Sequence, residues 1–169
     1  MTMTKSTNTL GTEAQMDAAG KSLTEAVVSV ISAVCRVQAE LSAPQPDVNG
    51  AGEKIIGIVS LMGDMDMTVF LGIPPATAVV FAAKFAGFAV PFESPDMADA
   101  VGELTNMIAG DLKIRLDRCR IKVNISIPTV FRGQDLIATT PSWELINELG
   151  FKTEYGHFTA GLCAKKKKP

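Results

Sequence analysis

Apolar residues recur at steps of three and four from Asp17 to Glu40, where Leu23, Val27, Val30, Ile31, Val34 and Val37 share one stripe. That period predicts an amphipathic helix with a single buried face. SAPQPDVNGAG ends it, because its prolines and glycines suit neither a helix nor a central strand. EKIIGIVSLMGDMDMTVFLGI then reads as a hairpin, with an apolar strand from Ile55 to Met62, a turn at Gly63-Asp64 and a second strand from Met65 to Ile73. The methionines around that turn are expected to pack in the core. Pro74-Pro75 suits the first turn of a second helix, with ATAVVFAAKFAG as its interior and Gly87 as its stop. This helix is apolar on both faces, which predicts cover by the sheet and by a further surface such as another subunit.

Ser94 as N-cap, Pro95 in the first turn and Asp96 beside it open a third helix, expected to run to about Arg118. Beyond it IKVNISIP alternates, with Ile121, Val123, Ile125 and Ile127 opposite Lys122, Asn124 and Ser126, which predicts a half-buried strand. PTVFRGQD reads as a loop, and residues 136–140 and 143–149 as short extended pieces. FKTEYGHFTAGLCA reads as two strands turning near Tyr155-Gly156. The order of elements predicts an α+β fold, a mainly antiparallel sheet packed with about three helices. One domain is expected over residues 15–165. The polar, aperiodic residues 1–14 are expected to form a disordered leader, and residues 166–169 a solvated basic tail.

Composition narrows the function classes. A chain of 169 residues suits one well-buried core. A formal net charge of -2 provides no global field for nucleic acid or an anionic membrane. The apolar runs, such as TAVVFAAKFAGFAV, are too short or interrupted for a membrane helix, and MTMTKSTNTLGTEAQ lacks the pattern of a signal peptide, so a cytoplasmic location is expected. Cys35, Cys119 and Cys163 form no metal-binding spacing and read as reduced, buried thiols. His157, beside the last turn, has no partner by motif and reads as a surface residue.

Candidate chemistry sits in the third helix, within DAVGELTNMIAGDLK. Each residue advances a helical wheel by about 100°, so with Asp99 at zero, Glu103 falls near 40°, Asn106 near 340° and Gly110 near 20°. Val101, Leu104, Ile108 and Leu112 fall on the opposite side, as a core-facing stripe should. Solvation alone would explain the polar face, and Asp99 and Glu103 are like charges that gain nothing from each other. Gly110 is the suggestive residue: an interior glycine costs about 1 kcal/mol relative to alanine, and a bare spot one turn past Asn106 would let another surface approach. Gly102 costs the same but lies off that face.

Asp or Ser, three residues, Glu, two residues, Asn and a distant Pro is the pattern that Asp99, Glu103, Asn106 and Pro128 show. It resembles the signature of the CheC/CheX/FliY phosphatases of bacterial chemotaxis. ELTNMIAGDLK, SIPTVFRG and the closing hairpin are similar as well, so the resemblance spans most of residues 17–165. The first helix lacks a second Glu-x-x-Asn, as in CheX rather than the two-site CheC. The resemblance implies hydrolysis of the aspartyl phosphate on a CheY-like response regulator, by a cytoplasmic homodimer that itself binds no metal. Mg2+ would be carried by the regulator.

On that reading Asn106 orients the attacking water, since a carboxamide both accepts and donates hydrogen bonds but is no useful base. Glu103 pairs with a lysine of the regulator and fixes the register of docking. An alternative makes Glu103 the general base, although a solvent-facing glutamate is a weak one at neutral pH. Asp99 would support docking and Pro128 would shape the loop near the site. Two readings from other classes stay open: a non-catalytic module that docks a regulator or a sensory protein, and a structural oligomerisation domain.

Overall fold

A computed structural model describes residues 7–43, 52–136 and 143–165. Helix α1 spans Thr7–Val30, widens into a π-helical turn at Ile31–Cys35 and stops at Arg36, whose φ of 56° is left-handed. It begins upstream of Asp17, inside the stretch expected to be a leader: extending a helix that is already nucleated and packed costs little. It also ends before Glu40. Val37 and Ala39 are still buried, which carried the helical period onward, but they lie in extended chain leading to strand β1, Glu40–Ser42. Over Ala14–Cys35 this helix is, among the described residues, the one long and apolar enough to cross a bilayer by length and composition alone, in a segment other than the apolar runs weighed from the sequence. Half of that stretch is buried in the fold, where Leu23, Val27 and Ile31 are fully covered.

The remaining elements are β2 (Glu53–Gly63), β3 (Met67–Ile73), α2 (Pro75–Ala86), α3 (Pro95–Arg118), β4 (Val123–Ile125), β5 (Thr129–Gln134), β6 (Trp143–Thr153) and β7 (Gly156–Lys165). They confirm the α+β expectation of three helices with an antiparallel sheet. The strand order is β1-β6-β7-β3-β2, with β4 and β5 sharing the far edge of β2, and every described pairing is antiparallel. Alternate residues of β2, β3 and β7, among them Val59, Leu61, Val69, Leu71, Ala160 and Leu162, are buried in the core with α1 and α3. Phe81 of α2 meets Phe158 edge-on at 5.3 Å, and Phe158 stacks on Phe151 at 5.0 Å.

One region departs from its expected structure for a definite reason. PTVFRGQD is largely strand β5, not loop. Leu61 pairs with Ile125 and Ile58 with Thr129, so three residue steps on β2 face four on the other side. The extra residue is a bulge. Within it Ser126 N–H donates to the Ser60 carbonyl at 2.9 Å and Ser126 Oγ accepts from Ser60 N–H at 3.0 Å. Pro128, which has no N–H to give a ladder, follows directly. A slip of one residue exchanges the faces of a strand. Ile127, expected on the buried face, is therefore 85% exposed, whereas Val130, opposite Gly57, turns toward α3. β5 lacks an alternating pattern because, as an edge strand, it buries little.

Smaller corrections follow the same physical lines. Met67 is fully buried but Met62, near the turn, is 61% exposed. Cys35 is buried, and burial pushes its thiol up to about 11 against the opposing influence of Lys84, whereas Cys119, just past the end of α3, is exposed and Cys163 is half-buried. His157 is half-buried, with Nδ1 enclosed and unpartnered among the described residues; its carbonyl accepts from Thr77 Oγ1 at 3.2 Å, which ties the β6–β7 turn to α2. The expected tail at 166–169 and most of the extended piece at 136–140 lie outside the described residues.

Candidate functional site

The site is built on α3, and two glycines set how closely that helix lies against its surroundings. Gly57 on β2 leaves space for Thr105: a Cβ there would stand 2.0 Å from Thr105 Oγ1 and 3.3 Å from the Val101 carbonyl oxygen. Thr105 is fully buried and returns its hydroxyl to that same carbonyl at 2.7 Å, so no solvent-seeking group is stranded beneath the helix. Gly102 performs the second role. A Cβ at Gly102 would lie 3.3 Å from Val130 and 3.6 Å from Pro128, so the bulged segment rests directly on the helix backbone. Gly102, dismissed by the wheel because it lies off the polar face, is thus the contact that brings Pro128 beside that face. Its signal in the sequence was a second costly glycine within one helix.

The approach to α3 is fixed from β5. Arg132 donates through Nη1 to the carbonyl oxygens of Phe92 at 2.6 Å and Ser94 at 3.4 Å, and its Nε lies 3.3 Å from a Glu93 carboxylate oxygen. Ser94 occupies the N-cap position without capping: its hydroxyl donates back to the Pro91 carbonyl at 2.7 Å. Arg132 had no signal in the sequence, because its partners are backbone carbonyls distant along the chain.

On this support the predicted wheel holds. Val101, Leu104, Ile108 and Leu112 are buried, Asp99 and Glu103 are exposed, and Asn106 and Gly110 are half-buried. Among the described residues, the side chains of Asp99, Glu103 and Asn106 have no hydrogen-bonded or ion-paired partner. Around Gly110 an added Cβ would meet nothing within 4 Å. A cleft of about 640 Å³ opens beside the stripe, its apolar lining drawn from Phe85, Phe88 and Val90 on one side and Pro128 and Val130 on the other. Asp96, Asp99 and Glu103 form its acidic border. The structure therefore brings Asp99, Glu103 and Pro128 to one cleft, with Asn106 one turn beyond Glu103 and Gly110 one turn farther. Among the described residues no group of three His, Cys, Asp or Glu side chains is placed to hold a metal ion.

The fold and the stripe together define an α+β domain that presents a polar helix face. Solved structures of similar fold include chemotaxis proteins. A chemotaxis protein CheX from Desulfovibrio desulfuricans is similar at a TM-score of 0.71 and 23% identity, over 87% of this chain and 99% of that one. CheX from Vibrio vulnificus is similar at 0.76 and 15% identity, over 87% and 96%. The CheX–CheY–BeF3–Mg2+ complex of Borrelia burgdorferi contains a chain similar at 0.68 and 17% identity, over 87% and 97%. A comparison with curated proteins finds no match. The profile described as chemotaxis phosphatase CheX matches residues 55–146, more than half of the chain. The chain belongs to the CheX family.

Proposed function

We propose that this chain hydrolyses the aspartyl phosphate of a CheY-like receiver protein, with Asn106 orienting the attacking water and Glu103 docking a lysine of the receiver. The observation that carries the reading is that, among the described residues, neither side chain has a hydrogen-bonded or ion-paired partner, on a helix whose opposite face is locked into the core. Hydrolysis of an acyl phosphate requires little covalent help. Water oxygen bonds to phosphorus, the bond from phosphorus to the aspartate oxygen breaks, and the products are a free carboxylate and inorganic phosphate, with the water proton passing to solvent. Alignment is then the main contribution an enzyme can make. A carboxamide held by a packed helix supplies it without titrating.

Asp99, on the acidic border, supports docking, and Pro128 holds the opposite wall. Gly110 keeps the next turn bare so that the receiver can lie close. The Mg2+ arrives with the receiver, a division of labour supported by the ion in the Borrelia complex. The protein acts in the cytoplasm as a homodimer.

The test is the decay of a phosphorylated receiver in Mg2+, alone, with this protein and with its Asn106→Ala variant. Acceleration that falls about 100-fold on substitution, with the melting temperature kept, is the expected result. A receiver that binds tightly yet decays no faster would leave the docking module as the correct reading.

A further inference from the structure

The cleft beside the motif has a character of its own. Its lining is apolar, and Phe88 stands 60% exposed at its mouth. Placing an aromatic ring of that exposure in water leaves apolar area whose burial would be favourable. Asp96, Asp99 and Glu103 border the cleft, and no ion pair among the described residues engages them. Glu93 nearby is different, since Arg132 takes it. The sign is local to this end of α3: the smaller cleft at the other end, about 420 Å³, is bordered by Lys113, Arg118 and Lys122, with Asp117 as its one carboxylate. A chain with a net charge of only -2 thus segregates its charge along one helix.

From this geometry we infer that the cleft between the α2–α3 connection and Pro128 is a second docking subsite, which takes a large apolar side chain flanked by lysine or arginine on the receiver protein. The inference rests on the proposed function for its partner, and it adds residues that the motif does not contain: Phe88, Val130 and Asp96. The apolar floor supplies affinity, and the acidic border selects a basic neighbour over an acidic one and speeds encounter. Because Glu103 belongs both to the border and to the stripe, a segment seated in the cleft lies one helical turn from Asn106. Seating therefore fixes where the phosphorylated aspartate falls along α3. The opposite sign at the far end of the helix disfavours the reversed orientation. A pure binding subsite of this kind governs KM and Kd, whereas Asn106 governs the chemical step.

The experiment uses the full chain and the single-domain receivers of the source organism, each loaded with beryllofluoride and Mg2+. Affinity is measured by titration, and kcat and KM are measured with the phosphorylated receiver that binds. Phe88→Ser, at a position 60% exposed, should keep the melting temperature, weaken Kd and raise KM about tenfold, with the loss carried by KM rather than kcat. Asp96→Asn should weaken Kd about threefold at low salt and less at high salt. Asn106→Ala should do the reverse, lowering kcat and sparing Kd. If the wild type binds a receiver through Phe88 but does not speed its decay, the proposed function falls and the subsite stands. If it speeds decay and neither Phe88→Ser nor Asp96→Asn moves Kd by more than twofold, the subsite falls and the function stands. Failure of every receiver to bind would overturn both.

Discussion

The two halves of α3 use similar side chains to different ends. Toward its C-terminus Asp111 is taken by Arg115, whose Nε lies 2.8 Å from it, and the same guanidinium reaches Glu25 on α1. These partners hold the Arg115 guanidinium above its ordinary range, the hydrogen bond it donates to Asp111 contributing most. In the N-terminal half Asp96, Asp99, Glu103 and Asn106 engage nothing among the described residues. Both halves are anchored by one continuous buried stripe, so the difference is not one of order. It lies in the Arg115 network with Asp111 and Glu25, which the N-terminal half lacks, although Lys113, Asp117 and Arg118 are likewise unpaired among the described residues. A packed helix has paid the ordering cost of its backbone in advance, so an unpartnered side chain on it need only fix its own rotamers to meet a second molecule.

The strongest way to break the comparison is to lift the vacant half off its support. Gly57→Val places side-chain atoms where Thr105 and the Val101 carbonyl already stand. We expect a loss of about 3 kcal/mol, at the upper end of typical overpacking, read as a lower denaturation midpoint. Phosphatase activity should fall in the surviving folded fraction, since α3 must shift relative to Pro128. Gly57→Val combined with Thr105→Ala removes the closest obstructing atom and should recover part of the loss, a coupling that a double-mutant cycle measures.

A smaller effect sharpens the contrast by separating stability from docking. Arg115→Met should cost up to about 1 kcal/mol, because Glu25 is largely exposed and such pairs contribute modestly, and it should leave receiver binding unaltered. Glu103→Gln should leave the melting temperature in place and weaken receiver binding. If the two variants exchanged these outcomes, the division of α3 into an internal half and a docking half would be wrong.

The stripe itself was legible because a helix writes its two faces into the sequence with a fixed period, and α3 keeps that period over 24 residues. The hairpins were legible from apolar runs separated by turn residues. What escaped is what depends on distant pairing. The bulge between β4 and β5 shifts register by one residue, and nothing within IKVNISIP states that Ile127 will be expelled while Val130 turns inward. The contact of Gly102 with Pro128, and the hold of Arg132 on the approach to α3, exist only after that shift. The motif residues were therefore readable, but the wall that completes their cleft was not.

The last prediction concerns Gly110, where stability and function should move in opposite directions. The position is helical, half-buried and surrounded by open space: an added Cβ meets nothing within 4 Å. Alanine should stabilise the fold by about 0.5–1 kcal/mol, through better helix propensity and a less flexible unfolded chain. A glycine kept for its backbone geometry would give no such gain, but α3 requires no left-handed conformation there. If a receiver instead lies against this turn, the added methyl should weaken its binding even as the melting temperature rises. Titration of the beryllofluoride-loaded receiver against Gly110→Ala, beside a thermal melt, decides the matter. A rise in stability with unaltered affinity would confine the docking face to the turns before Gly110, whereas a rise with weakened affinity extends it along the helix.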